Sequence, residues 1–158
     1  MRKTFQHEFL KLMQKDKKVN LLVGDLGYKM FNDHFSLFSD RCYNCGASEQ
    51  SMLGVAVGLA LEGAIPFVYS ITPFLIYRPF ETIRNYIDYE SIKVILVGSG
   101  RDKDYIHDGF SHWCEEIKQV MAIFKNIETY YPNTKEDIPD IVREVYKSPF
   151  PSFISLKR

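Results

Sequence analysis

Net charge is the first thing the 158-residue sequence lacks: 20 lysines and arginines balance 20 aspartates and glutamates. That balance argues against a general affinity for nucleic acid or for anionic membrane. Cysteine is scarce as well. Three thiols, an odd number in a chain of this size, make no disulfide framework and predict a reducing, cytoplasmic setting. Long apolar runs are missing. The least charged region holds Gly46, Ser48, Gln50, Ser51, several further glycines and Pro66, too polar and too broken for a membrane span. The opening MRKTFQHEFLKLMQKDKK is basic but has no apolar stretch or cleavage site, so no secretory leader is predicted. Without repeats, low-complexity tracts or linkers, residues 1–158 read as one domain.

What the chain does hold is apolar and aromatic material, 46% and 15% of its residues, enough for a buried core. Residues 4–15 have helical spacing through Phe5, Phe9, Leu12 and Met13 and lead into an apolar strand, VNLLVG. A loop follows, then a short strand near RCYNC. Ser48 is placed to cap a helix from Glu49 to Leu61, which Gly63 ends. AIPFVYS reads as a strand. YRPFETIRNYIDYE reads as a helix, with Pro79 near its first turn and Phe80, Ile83 and Ile87 on one face. IKVILVG is the clearest buried strand. After a polar loop over 98–111 come a helix at 112–125, the strand IETYYP, a helix at 135–147 and the strand SFISLK. Strands separated by helices predict a three-layer α/β domain: a mostly parallel six-stranded sheet with helices on both faces. Such sheets bind ligands at the carboxyl ends of their strands, here 24–30, 44–50, 70–78 and 98–112.

Each of these places carries candidate chemistry beside a plainer reading. Gly24-Asp25-Leu26-Gly27 lacks the later glycines and lysine of a phosphate loop and reads as a tight turn. Cys42 and Cys45 lie before the predicted helix start, which does not suit a redox pair. Gly54 and Gly58 share a helix face and predict close approach to another element, either the chain's own sheet or another subunit. His107, Asp108 and His112 surround a glycine in HDGFSHW, a reactive loop or a solvated one. Phe74 and Tyr77, at another strand end, suit core packing as well as a ligand platform. Glu49 is the sharpest case, because the next charge lies thirteen residues on, at Glu62. It is either an acid stabilising a helix start or a buried carboxyl whose proton matters.

Arg41, Asn44, Gly46, Glu49, Gln50, Gly54, Gly58 and Pro66 together carry a pattern that resembles the pyrimidine-binding domain of the transketolase family. The loop DGFSH is similar to that family's Asp-Gly-x-Thr-His. The resemblance covers roughly residues 20–158 and implies a fold of six parallel strands and use of thiamine diphosphate. It implies that Glu49 hydrogen-bonds a ring nitrogen of the cofactor's aminopyrimidine and favours the imino tautomer that activates the thiazolium carbon. Phe74 and Tyr77 would pack on the pyrimidine, with Ile71 where the family has a further aromatic residue. Asp25 would lie near the thiazolium side. His112 would face substrate, with Asp108 and Arg101 as further candidates for that pocket.

The sequence departs from the family in three ways, one of them that residues 1–158 show no counterpart of the family's C-terminal domain. After IKVILVG it has Ser99-Gly100-Arg101 where the family has Thr-His-Asp, and no Gly-Asp-Gly motif for a metal-held diphosphate occurs. The resemblance therefore implies a stand-alone pyrimidine-binding subunit. A separate diphosphate-binding chain would hold Mg2+ or Ca2+, in an α2β2 assembly that transfers a two-carbon ketol or acyl unit on a sugar or keto acid. A subunit of a 2-keto acid decarboxylase and a non-catalytic interaction module are the alternatives.

Overall fold

In the computed structural model, which describes residues 1–27 and 29–158, all five residues of Val19–Val23 are buried and form β1. Five more strands complete the sheet: β2 (Cys42–Asn44), β3 (Ile65–Ile71), β4 (Ile95–Ser99), β5 (Glu128–Tyr130) and β6 (Ser152–Leu156). All pairings are parallel, in the order β2-β1-β3-β4-β6-β5. The interior strands are buried on both faces, which is why they read as continuous apolar runs with no alternation.

One face of the sheet is covered by α1 (Arg2–Lys15) through Phe5, Phe9, Leu12 and Met13, beside α2 (Asn32–Leu37). The other carries α3 (Glu49–Leu61), α4 (Thr72–Tyr77) and α5 (Phe80–Thr82), which runs on as a π-helix over Ile83–Tyr89. A short α6 (Ile117–Met121) packs on that second face, and α7 (Ile138–Lys147) lies beside α1 on the first. Burying each large apolar side chain in these layers contributes about 1.5–3 kcal/mol.

Arg41 is a structural member of the family pattern. Only 8% exposed, it donates to the carbonyls of Met13 (2.6 Å), Asp16 (2.9 Å) and Val19 (3.0 Å). It thereby satisfies the open C-terminal end of α1 and the start of β1.

Two sequence expectations need correction and a third is narrowed to one of its alternatives. The helix expected at 112–125 shrinks to Ile117–Met121, because Cys114 pairs with Asp102 in an antiparallel bridge and Trp113 is extended. Gly54 and Gly58 do not approach the chain's own sheet: among the described residues nothing lies within 4 Å of where a Cβ would stand. Ser48 precedes α3, but its hydroxyl bonds Ser51 (3.1 Å) instead of capping the helix.

Candidate active site

The chain leaves β1 toward β2 and leaves β3 in the opposite direction, toward β4. The carboxyl ends of β1 and β3 therefore flank the switch point where such sheets bind ligands. Gly24, Asp25 and Ile71 all sit there.

Glu49 is the first residue of α3 and is 2% exposed. Its Oε1 accepts a hydrogen bond from Ser70 Oγ at 3.1 Å, and its Oε2 accepts one from Arg78 Nη1 at 2.7 Å. A Cβ on Gly24 would stand 3.2 Å from the same Oε1, so the bare backbone at the end of β1 makes room for the carboxylate. The acid thus does not merely cap a helix. A buried carboxylate is costly unless paired, and here the partner is a guanidinium.

Arg78 also lies over the ring of Phe74, with Cζ 3.9 Å from the centroid. Phe74 in turn meets the His112 imidazole in a T-shaped contact, centroids 4.9 Å apart. Glu49, Arg78, Phe74 and His112 form one contiguous group drawn from α3, α4 and the 110–112 turn. Thr72 fixes the base of α4: it is buried, and its hydroxyl donates to the Gly100 carbonyl at 2.6 Å. Gln50 ties α3 to α5 through Thr82 at 2.7 Å.

Asp25 stands beside this group on the β1 turn, in a left-handed conformation (φ 55°). Asn44 locks it there, accepting from its N–H and donating to its carboxylate, both at 3.1 Å. The two residues line a cavity of about 310 Å³ with Gly27, Phe31 and Phe35. A second cavity, about 170 Å³, lies against Ile71 and is lined by Arg2, Tyr69, Ser99 and Tyr105. Tyr105 bonds Ser99 (2.7 Å) and Arg2 (3.2 Å). Arg2, Arg78 and Tyr105 escaped the sequence reading, since an arginine near the start of a helix looks like a solvated charge until the fold brings it to the strand ends.

Other expected residues are placed elsewhere. Arg101 is 5% exposed and turns away from the loop, donating to Ser155 Oγ (3.1 Å) and the Pro132 carbonyl (3.1 Å) and packing on Tyr131. The structure does not bring it into the group. The Tyr77 hydroxyl is committed to Glu116 at 2.6 Å, and burial and that carboxylate together raise its pKa. Asp108 is exposed at the end of the 106–108 turn. Burial pushes the Cys42 and Cys114 thiols up to about 11, which suits inert core groups and not reactive ones. Among the described residues no helix is long and apolar enough to cross a membrane.

Over residues 1–158 the chain matches the family described as transketolase, pyrimidine binding domain. It is 29% identical over 160 residues to a protein of Methanocaldococcus jannaschii described as a transketolase C-terminal section, covering 100% of this chain and 50% of that one. It is 28% identical over 159 residues to the 6-deoxy-6-sulfo-D-fructose transketolase subunit SqwH of Clostridium sp. strain MSTE9, covering 100% and 49%. A solved structure described as "Split gene transketolase, inactive beta4 tetramer" superposes with a TM-score of 0.86 at 28% identity, covering 99% of this chain and 51% of that one. The transketolase of Campylobacter jejuni, at 18% identity, shares the fold with a TM-score of 0.89 over 99% of this chain and 25% of that one. The chain spans about half the length of the curated relatives it matches.

Proposed function

The chain belongs to the family of transketolase pyrimidine-binding domains, and on that premise we propose that it is the pyrimidine-binding subunit of a split transketolase-like enzyme. The reaction is transfer of a two-carbon ketol or acyl unit on a sugar or keto-acid substrate. The observation that carries this reading is the group at the switch point. A carboxylate 2% exposed heads an uncharged helix, beside an aromatic ring, and the two already hold a flat N–H donor, the Arg78 guanidinium. An aminopyrimidine that carries a proton on its ring nitrogen presents the same features, a planar face and an N–H edge, so these residues fit the pyrimidine half of thiamine diphosphate.

Bound thiamine diphosphate supplies the carbanion chemistry; the protein supplies binding, orientation and proton handling. Glu49, its carboxylate held by Ser70, would bond the pyrimidine ring nitrogen and handle its proton. Phe74 and Ile71 would pack against the ring, and Asp25, pinned by Asn44, would serve the thiazolium side. His112, against Phe74, would face substrate. Among the described residues no three His, Cys, Asp or Glu side chains converge as a metal site. The Mg2+ or Ca2+ that steadies the diphosphate comes, in this reading, with a separate diphosphate-binding chain in an α2β2 assembly. Two relatives that are themselves transketolase subunits favour it: the sulfofructose enzyme's, and that of an apulose-4-phosphate transketolase from Actinobacillus succinogenes. The description of the split-gene neighbour as an inactive β4 tetramer favours a chain that is silent without its complement.

The test is titration of the purified chain with thiamine diphosphate and Mg2+, with and without a partner chain encoded beside its gene. Tight binding and turnover should require both chains. Metal-dependent binding and turnover by the 158-residue chain alone would sink the split-enzyme reading.

A further inference from the structure

Arg78 sits where α4 ends, one residue before Pro79, and its side chain remains 45% exposed while that of Glu49 is 1% exposed. The two halves of this ion pair are therefore unequal. The carboxylate is fixed by burial and by Ser70, whereas the arginine reaches in from water and can return to it. What the guanidinium does on arrival is specific. It donates an N–H to Glu49 Oε2 at 2.7 Å and sits over the Phe74 ring, its Cζ 3.9 Å from the centroid. Those are the two contacts that the proposed function assigns to the cofactor's ring.

We propose that the Arg78 guanidinium is a built-in placeholder for the aminopyrimidine, occupying Glu49 and the face of Phe74 in the free chain and vacating both when the cofactor's ring binds. The inference rests on the reading of Glu49 and Phe74 as pyrimidine contacts. It also gives the free chain a reason to tolerate a buried carboxylate, since the placeholder keeps that charge paired until the ligand arrives. A permanent structural partner of Glu49 would be the opposite case, and the two differ in sign. Removing a placeholder tightens binding, because a site occupied by its own side chain loses apparent affinity in proportion to the time it is closed. Removing a permanent partner weakens binding.

The aminopyrimidine alcohol half of thiamine tests this without metal, diphosphate or partner chain. Its binding to the purified chain, followed by ligand-observed NMR, is compared among wild type, Arg78→Ala, Arg78→Lys and Glu49→Gln. Arg78→Ala should tighten binding about tenfold, roughly 1.4 kcal/mol. Arg78→Lys keeps the charge but loses the flat face, so it should give a smaller gain, and it serves alone if Arg78→Ala does not fold. Methylguanidinium should compete with the fragment on Arg78→Ala and have no effect on wild type. Unchanged or weaker binding in the Arg78 variants, with Glu49→Gln still abolishing it, overturns the placeholder and leaves the pyrimidine site standing. Binding that survives Glu49→Gln undiminished overturns both, as does the absence of binding in every variant.

Discussion

His34 allows a sharp test of how the wall of the site is held. It lies on α2, is fully buried, and stacks on Phe9 with centroids 5.4 Å apart and on the edge of Phe31 at 5.1 Å. Among the described residues neither ring nitrogen has a hydrogen-bond partner. Burial pushes its pKa down from 6.5 to about 4, against smaller upward pulls from Asp33 and from the Gln6 backbone, which lies near the ring but outside hydrogen-bond geometry. The unfolded chain therefore binds a proton that the folded chain refuses. Stability from this source is complete above pH 6.5 and drains away as pH falls from 6.5 toward 4. At about pH 5 the loss works out at roughly 2 kcal/mol. Asp16, whose pKa is lowered, and exposed Asp137 act in the same direction, but only below the ordinary carboxylate range, near 3.8. The perturbation is His34→Leu, similar in size and unable to ionise. Urea unfolding at about pH 7.5 and pH 5 should show the wild type losing roughly 2 kcal/mol more than the variant. Parallel losses would refute the argument, because His34 would then be charged or hydrogen-bonded in the native state. Phe31 and Phe35 line the cavity of Asp25, so acid loosening of α2 would open that wall.

Glu49→Gln in the reconstituted enzyme should cost roughly two to four powers of ten in turnover, with the circular dichroism spectrum unchanged; near-normal turnover would remove Glu49 from its role. His112→Ala should lower kcat/KM while cofactor affinity, measured by titration, barely moves. Arg41→Ala strips hydrogen bonds from three backbone carbonyls and should lower unfolding stability by roughly 3 kcal/mol in urea. Gly100→Ala places a side chain at φ 84° against the Tyr105 ring. It should destabilise the chain by about 2–4 kcal/mol and perturb the Arg2–Tyr105–Ser99 cavity, seen as lost protection of that loop in hydrogen exchange.

The sheet was legible because the buried runs of β1, β3, β4 and β6 between helical periods leave few alternatives, and all six expected strands are present. Glu49 was legible for a related reason: a charge leading a long uncharged stretch invites a physical explanation. Its partner was not. YRPF places Arg78 on what reads as an exposed helix start, and only the break between α4 and α5 brings it back over Phe74. Arg101 misled in the opposite way. A loop arginine at a strand end suggests a ligand, but β6 beside it offered the Ser155 hydroxyl and carbonyl, and a buried guanidinium takes the acceptors within reach. Gly54 and Gly58 signalled close approach, but periodicity alone cannot say which surface approaches. The described residues leave the space beside them open.

The position of β6 bears on how the chain is made. It is the last of the six strands in sequence, yet it lies inside the sheet, between β4 and β5. Until it emerges from the ribosome, β4 has an open edge, and β5, whose pairing runs through β6, has no neighbour. Unpaired edges of apolar strands are templates for association with other chains. A stalled or clipped product ending before Ser152 would therefore present two sticky borders, making it a natural client for chaperones and for quality-control proteases. Release of Ser152–Leu156 closes both borders in one step.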